Sequence, residues 1–186
     1  MSNLTLNRAK EILSKHTTES HLFVHAAAVS AAMGALAEHF NADKEHWAAI
    51  GYLHDVDFEK FPEEHCQHVR ELLEPEGIDE EDIKTIISHG YGLTGADIKP
   101  ETDCQKSLFA VDELTGIVHA YALMRPEKME GMSVKSLKKK FKDKRFAAKC
   151  NREVIQRGAD DLGMDLSLLM ELCIKGMTER ADELEL

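Results

Sequence analysis

Histidine and aspartate recur along this 186-residue chain at positions where a helix should turn its apolar side inward. His25 sits in FVHAAAV, four residues before Val29. His54 and Asp55 adjoin at the end of the apolar run IGYL. His65 follows Pro62, His89 closes IISHG, and Asp112 interrupts SLFAVDELTGIVHAYAL. A His-Asp dipeptide alone says little, since about one is expected by chance in a chain of this composition. The surroundings say more. A desolvated carboxylate needs a partner, and a lone buried histidine is ordinarily a hydrogen-bonded core residue. Four histidines and two aspartates arriving from five helices change that weighting, because a divalent metal would offset all their burial costs at once. Imidazole nitrogen and carboxylate oxygen suit iron, manganese, nickel or zinc, with magnesium also admissible.

The elements that must position these groups read as helical almost throughout. The first helix is expected from about Leu6 to His16, with Leu6, Ala9, Ile12 and Leu13 on one face. The second covers about Ser20 to Phe40, and its alanines suit close packing. Asp43 is a natural N-cap for a third, carrying Trp47, Ile50 and Leu53 to His54. Pro62 fits the first turn of a fourth, which would hold His65 and continue through Val69, Leu72 and Leu73. Asp79 caps a fifth that ends at His89-Gly90. A sixth runs from about Cys104 to Met124, before Pro126. A basic short helix or loop follows near Ser133 to Lys142, then helices over about Ala147 to Leu162 and Leu166 to Glu183. No segment alternates with a period of two. The expected fold is an all-α bundle of seven to nine helices in one domain, residues 1–186, with a core at about 20–125 and a basic, helical extension at about 126–186. Met33, Trp47, Met124, Met129 and Met132 read as packing residues, and GYGLTGAD, from Gly90 to Asp97, as a loop.

The composition, 43% hydrophobic and 31% charged, is globular. No apolar stretch is expected to reach the roughly 20 residues of a membrane span, and the first residues lack a secretory pattern. Cys66, Cys104, Cys150 and Cys173 form no CxxC and read as free thiols of small core or surface positions, which suits the cytoplasm. The net charge of -11 is uneven. Nine Lys/Arg and one Asp between Lys135 and Arg152 give +8, so the remainder carries -19. An acidic body with one basic segment argues against a nucleic-acid coat and suits a local anion site. Walker, GxGxxG and GxSxG patterns are absent.

The order His25, His54-Asp55, His65, His89, Asp112 resembles the HD superfamily of metal-dependent phosphohydrolases, in the longer version that completes a second metal site. The contexts LHDVDFEKFPEEH, IISHG, FAVDELTG and VKSLKKKFKDKRFAAK resemble a small subgroup of HD hydrolases. The resemblance covers about residues 20 to 175. It implies that His25, His54, Asp55 and Asp112 hold one metal, and that Asp55 bridges to a second completed by His65 and His89. Asp55 would thereby serve catalysis as well as binding. Two cations about 3.5–4 Å apart lower the pKa of a shared water and clamp the charge growing on a phosphoryl group. His65 is preferred to His68 because VRELL follows where the family's packing residues usually follow the ligand. His25 is preferred to His21 for its HAAAV context. Where many HD phosphohydrolases carry Gly-Lys, this chain has Asp57 and Phe58. Asp57 reads either as a partner of a ligand histidine or as a turn residue.

A small anionic, phosphorylated substrate, such as a nucleotide, would be met by Lys135, Lys138, Lys139 and Lys142, or by Arg125. His119, two turns after Asp112, reads as a proton donor or a core histidine. Glu113 points about 100° from Asp112. The leading expectation is a dinuclear phosphohydrolase. The alternatives are a di-iron oxygenase of the same fold and a non-catalytic module that binds a nucleotide or a protein partner. Neither nucleic acid nor membrane is an expected partner.

Overall fold

The computed structural model describes residues 2–186, which form nine α-helices and no strand. They are α1 (Leu6–Ser14), α2 (Ser20–His39), α3 (Lys44–Leu53), α4 (Val69–Leu73), α5 (Glu80–Ser88), α6 (Asp103–Met124), α7 (Val134–Lys142), α8 (Arg152–Asp161) and α9 (Leu166–Glu179). Single 3-10 turns occupy Pro62–Glu64, Glu74–Glu76 and Ala181–Leu184. The all-α expectation holds.

Local sequence starts these helices. Side-chain oxygens of Thr5, Asp43, Ser133, Asn151 and Asp165 accept backbone N–H groups of the first turns that follow them. Thr102 and Gln105 close a reciprocal capping box at the start of α6.

Packing is organised around α2, which contacts α3, α6 and α9. From Ala26 to Ala37 every residue of α2 is buried, seven of them alanine and one glycine, the others being Val29, Ser30, Met33 and Leu36. Small side chains let neighbouring backbones come close. A Cβ on Gly176 of α9 would sit 2.2 Å from the carbonyl oxygen of Ala31, so only glycine fits that crossing. The same holds where α8 meets α6: a Cβ on Gly158 would lie 2.5 Å from Cα of Ala110.

Several expectations are corrected here. By length and composition α2 could cross a membrane, contrary to the reading that no stretch reaches that length; 72% of its apolar window is buried inside the protein, as in a core helix. No helix runs on from Pro62. The chain leaves the 3-10 turn at His65, extended with ψ 138°, and turns left-handed at Cys66, φ 72°, before α4 begins at Val69. The helix expected from Ala147 starts at Arg152, because residues 143–150 wrap around the Arg152 guanidinium. That group donates to the carbonyls of Ala147 (2.7 Å), Cys150 (2.9 Å), Asp143 (3.1 Å) and Phe146. Met33, Trp47, Met129 and Met132 are buried, but Met124, the last residue of α6, is 60% exposed.

Candidate metal centre

Two of the grouped histidines stand at helix ends and use them alike. His54 follows α3 and His89 follows α5, each as C-cap. There the last carbonyls lack intrahelical partners. His54 Nδ1 donates to Gly51 O at 2.7 Å, and His89 Nδ1 to Ile86 O at 2.5 Å, each three residues back. His65 Nδ1 lies 2.8 Å from Oδ1 of Asp57. All three acceptors are oxygens, so each Nδ1 carries the hydrogen, and in a neutral ring Nε2 is left with a bare lone pair.

Those lone pairs converge. Nε2 of His65 and Nε2 of His89 are 3.1 Å apart, as are Nε2 of His25 and Nε2 of His54. Asp55 Oδ1 lies 3.1 Å from His65 Nε2, 3.2 Å from His54 Nε2 and 3.4 Å from His89 Nε2, while its Oδ2 is 3.4 Å from His25 Nε2. Asp112 Oδ1 lies 3.0 Å from His25 Nε2 and 3.3 Å from His54 Nε2. Asp55 thus touches both ends of the group: His25, His54 and Asp112 on one side, His65 and His89 on the other.

The donor set fits a cation. Ligand atoms bound at 2.0–2.2 Å with octahedral to tetrahedral angles lie about 2.8–3.6 Å apart, and the separations here run from 3.0 to 3.4 Å. Facing lone pairs repel unless protons or a metal stand between them. With protons alone, burial pushes the rings of His54, His65 and His89 toward neutrality, but neighbouring anions outweigh it: Asp55 and Asp112 for His54, Asp55 and Asp57 for His65, and the Cys66 sulfur with Asp55 for His89. His54 is held at about 9. His65, between Asp55 and Asp57, is pushed up to about 12, and His89 lies well above its ordinary value. Burial works against ionising Asp55 and Asp112 too, and the charge of His54 beside them keeps both carboxyls low. The cluster is therefore arranged to be filled by positive charge.

All six residues expected to share this place are brought together. His68 is not among them. It stacks on Phe61 with ring centroids 3.7 Å apart and pairs with Glu64 and Glu71 at the surface. His21 is exposed. Asp57, left open between two readings, is fully buried and bonds His65, and its Oδ2 also accepts the backbone N–H of His68 at 3.2 Å. Cys66, which the sequence offers only as a small free thiol, also stands beside the group. It is buried with its sulfur 3.7 Å from Nε2 and 4.0 Å from Nδ1 of His89, beside the ring and off the lone-pair axis. Burial raises its thiol, but the imidazoles of His89 and His65 outweigh that and bring it down to about 6. Only the neighbouring His65 hinted at Cys66 in the sequence, since nothing local announces a left-handed cysteine.

A cavity of about 340 Å³ opens on the group, with Phe58, Glu113, Gly116 and Cys150 completing its wall. None of the expected anion-binding residues lines it. Lys135, Lys138, Lys139 and Lys142 border two other surface cavities, because α7 buries Leu137 and turns its lysines outward. Arg125 spends its guanidinium on the carbonyls of Lys128 and Glu130. His119 lies in an adjoining cavity, where its Nε2 donates to Leu184 O at 2.9 Å.

Among known protein families, the model described as HD domain matches residues 22–117, just over half of the chain. That span holds all six residues of the group. Comparison with curated proteins and with solved structures returns no match.

Proposed function

The chain belongs to the HD-domain family, and from that premise we propose that it is a metal-dependent phosphohydrolase with two divalent cations. The carrying observation is the convergence of bare Nε2 atoms and carboxylate oxygens from five chain segments at 3.0–3.4 Å. In this reading His25, His54, Asp55 and Asp112 hold one cation. Asp55, His65 and His89 hold the other. Iron, manganese, nickel and zinc suit these ligands, with magnesium admissible. Bound cations would supply an acidified water and neutralise charge on the phosphoryl group.

The chain's own residues contribute orientation. The Nδ1–H bonds of His54, His65 and His89 fix ring and tautomer before any ligand arrives. Asp55 turns Oδ2 to His25 and Oδ1 to His54, His65 and His89, so its carboxylate meets both ends of the group, as a bridging carboxylate must. Phe58 stands in the cavity wall with its ring edge-on to His65, centroids 5.2 Å apart. The partner is proposed to be a small phosphorylated molecule and not nucleic acid or a membrane. Four free cysteines, two of them buried, support a reducing cytoplasmic setting.

Elemental analysis of the purified protein beside Asp55→Ala, followed by phosphate-release assays, tests this. Two metals per chain, lost in the variant together with phosphate release, are expected. Little metal in both after incubation with manganese or iron would overturn the assignment. Iron with oxygen uptake and no phosphate release would replace hydrolysis by oxygen chemistry.

A further inference from the structure

A second cavity, of about 290 Å³, shares His25 and Gly116 with the cavity at the metal group. The two cavities therefore adjoin at His25 and Gly116. Val24, Ala28 and Leu123 make its surface largely apolar, and Ser20, His21 and His119 add hydrogen-bonding edges. Its volume lies at the small end of ligand pockets, which run from about 300 to 1,000 Å³.

Charge separates the possible occupants. Neither cavity has a lysine or arginine in its wall, and each has a carboxylate that does not belong to the metal group: Glu113 in one, Glu185 in the other. The lysines of α7 face elsewhere, and the guanidiniums of Arg125 and Arg152 are bonded to backbone carbonyls. One phosphoryl group can be neutralised at the metal group. A second anionic group on the same molecule would find no lysine or arginine in either wall and a carboxylate in each, in a partly desolvated space.

We infer that the substrate is a phosphate monoester whose leaving group is an uncharged, mainly hydrocarbon body held in the second cavity, and that nucleoside di- and triphosphates are excluded. This rests on the phosphohydrolase reading. Hydrolysis breaks the ester P–O bond and forms one from water, whose proton ends on the departing alcohol; inorganic phosphate and a neutral alcohol are released.

The test uses non-hydrolysable probes on the manganese-loaded protein by titration calorimetry: methylphosphonate, phenylphosphonate and 4-phosphonobenzoate, which adds one carboxylate to the same ring. Phenylphosphonate should bind at least roughly tenfold more tightly than either of the others, a difference of about 1.4 kcal/mol. Leu123→Asp changes a half-exposed residue outside the metal group and should erase that advantage; Leu123→Lys should favour 4-phosphonobenzoate. Circular dichroism and metal content establish that both variants fold. Equal binding of methyl- and phenylphosphonate, or of the two ring compounds, would overturn this inference alone, as would indifference to Leu123→Asp. If no phosphonate binds to protein carrying its full metal complement, the phosphohydrolase reading falls with it.

Discussion

His65 Nδ1 and Asp57 Oδ1 lie 2.8 Å apart, and the Asp57 side chain is sealed from solvent. The bond fixes which nitrogen of His65 faces the cluster. An amide at position 57 cannot keep this arrangement. Turned one way, its nitrogen makes His65 Nδ1 an acceptor and puts the hydrogen on Nε2. Turned the other way, it opposes the His68 N–H, donor against donor. Asp57→Asn should therefore weaken metal binding at the His65 end of the group by about 10–100-fold while leaving the helical spectrum unchanged. Manganese titration reads it, and an unaltered affinity would separate Asp57 from the metal.

His65 and His68 differ by three residues and by everything in their surroundings. His65→Ala should lower the metal content of the protein. His68→Ala should retain the full complement, because that ring only stacks on Phe61 and pairs with surface glutamates. Metal counting on both variants separates them; the reverse pattern would move the second position to His68.

A pH-dependent contribution to stability should come from His46, half-buried with Nε2 2.8 Å from the buried Asp82 carboxylate. The hydrogen bond to Asp82 raises its pKa, against the opposing effect of burial. A raised folded pKa means that the folded state binds the proton more tightly than the unfolded chain. The stabilisation is complete below the ordinary value near 6.5 and fades as pH rises through the folded value. The gap in denaturation midpoint between the native protein and His46→Gln should be wider at pH 5.5 than at pH 9. A gap independent of pH would show that His46 does not act through its charge.

Gly158→Ala forces a methyl group against Ala110, two residues before Asp112. Overpacking of this kind costs about 1–3 kcal/mol, and the shift falls on the turn of α6 that carries a metal-group residue. Urea denaturation should show the loss, and manganese affinity should fall with it. Full stability would mean that α8 moves away freely.

Much of this was legible in the chain itself. Helices α1, α3, α5 and α6 announce themselves by apolar spacing, and α3 also by its Asp43 cap; Asp79 stands at the start of α5 but its side chain makes no capping bond. His25, His54, Asp55, His89 and Asp112 could be grouped because each interrupts or ends a face that the core must take in. What stayed hidden depends on contacts between distant segments. Cys66 is left-handed without being glycine, so the interruption after Pro62 has no local sign. Arg152 gathers carbonyls from residues up to twelve positions away, and residues 143–150 give up helix for it. The lysines of α7 declare their charge but not their direction, which Leu137 decides by burying itself. Asp57 admits two readings in the sequence, and only its contact with His65 decides between them.

The burial of α2 also sets a timetable for synthesis. Its partner α9 begins at Leu166, well over a hundred residues after α2 ends at His39. At 5–20 residues per second, a helix apolar enough to pass for a membrane segment waits roughly ten seconds for its last cover. The alanines that later admit Gly176 so closely keep the waiting surface shallow. They offer small methyl groups where leucines would present deep, adhesive relief to chaperones, to the membrane-targeting machinery and to other nascent chains.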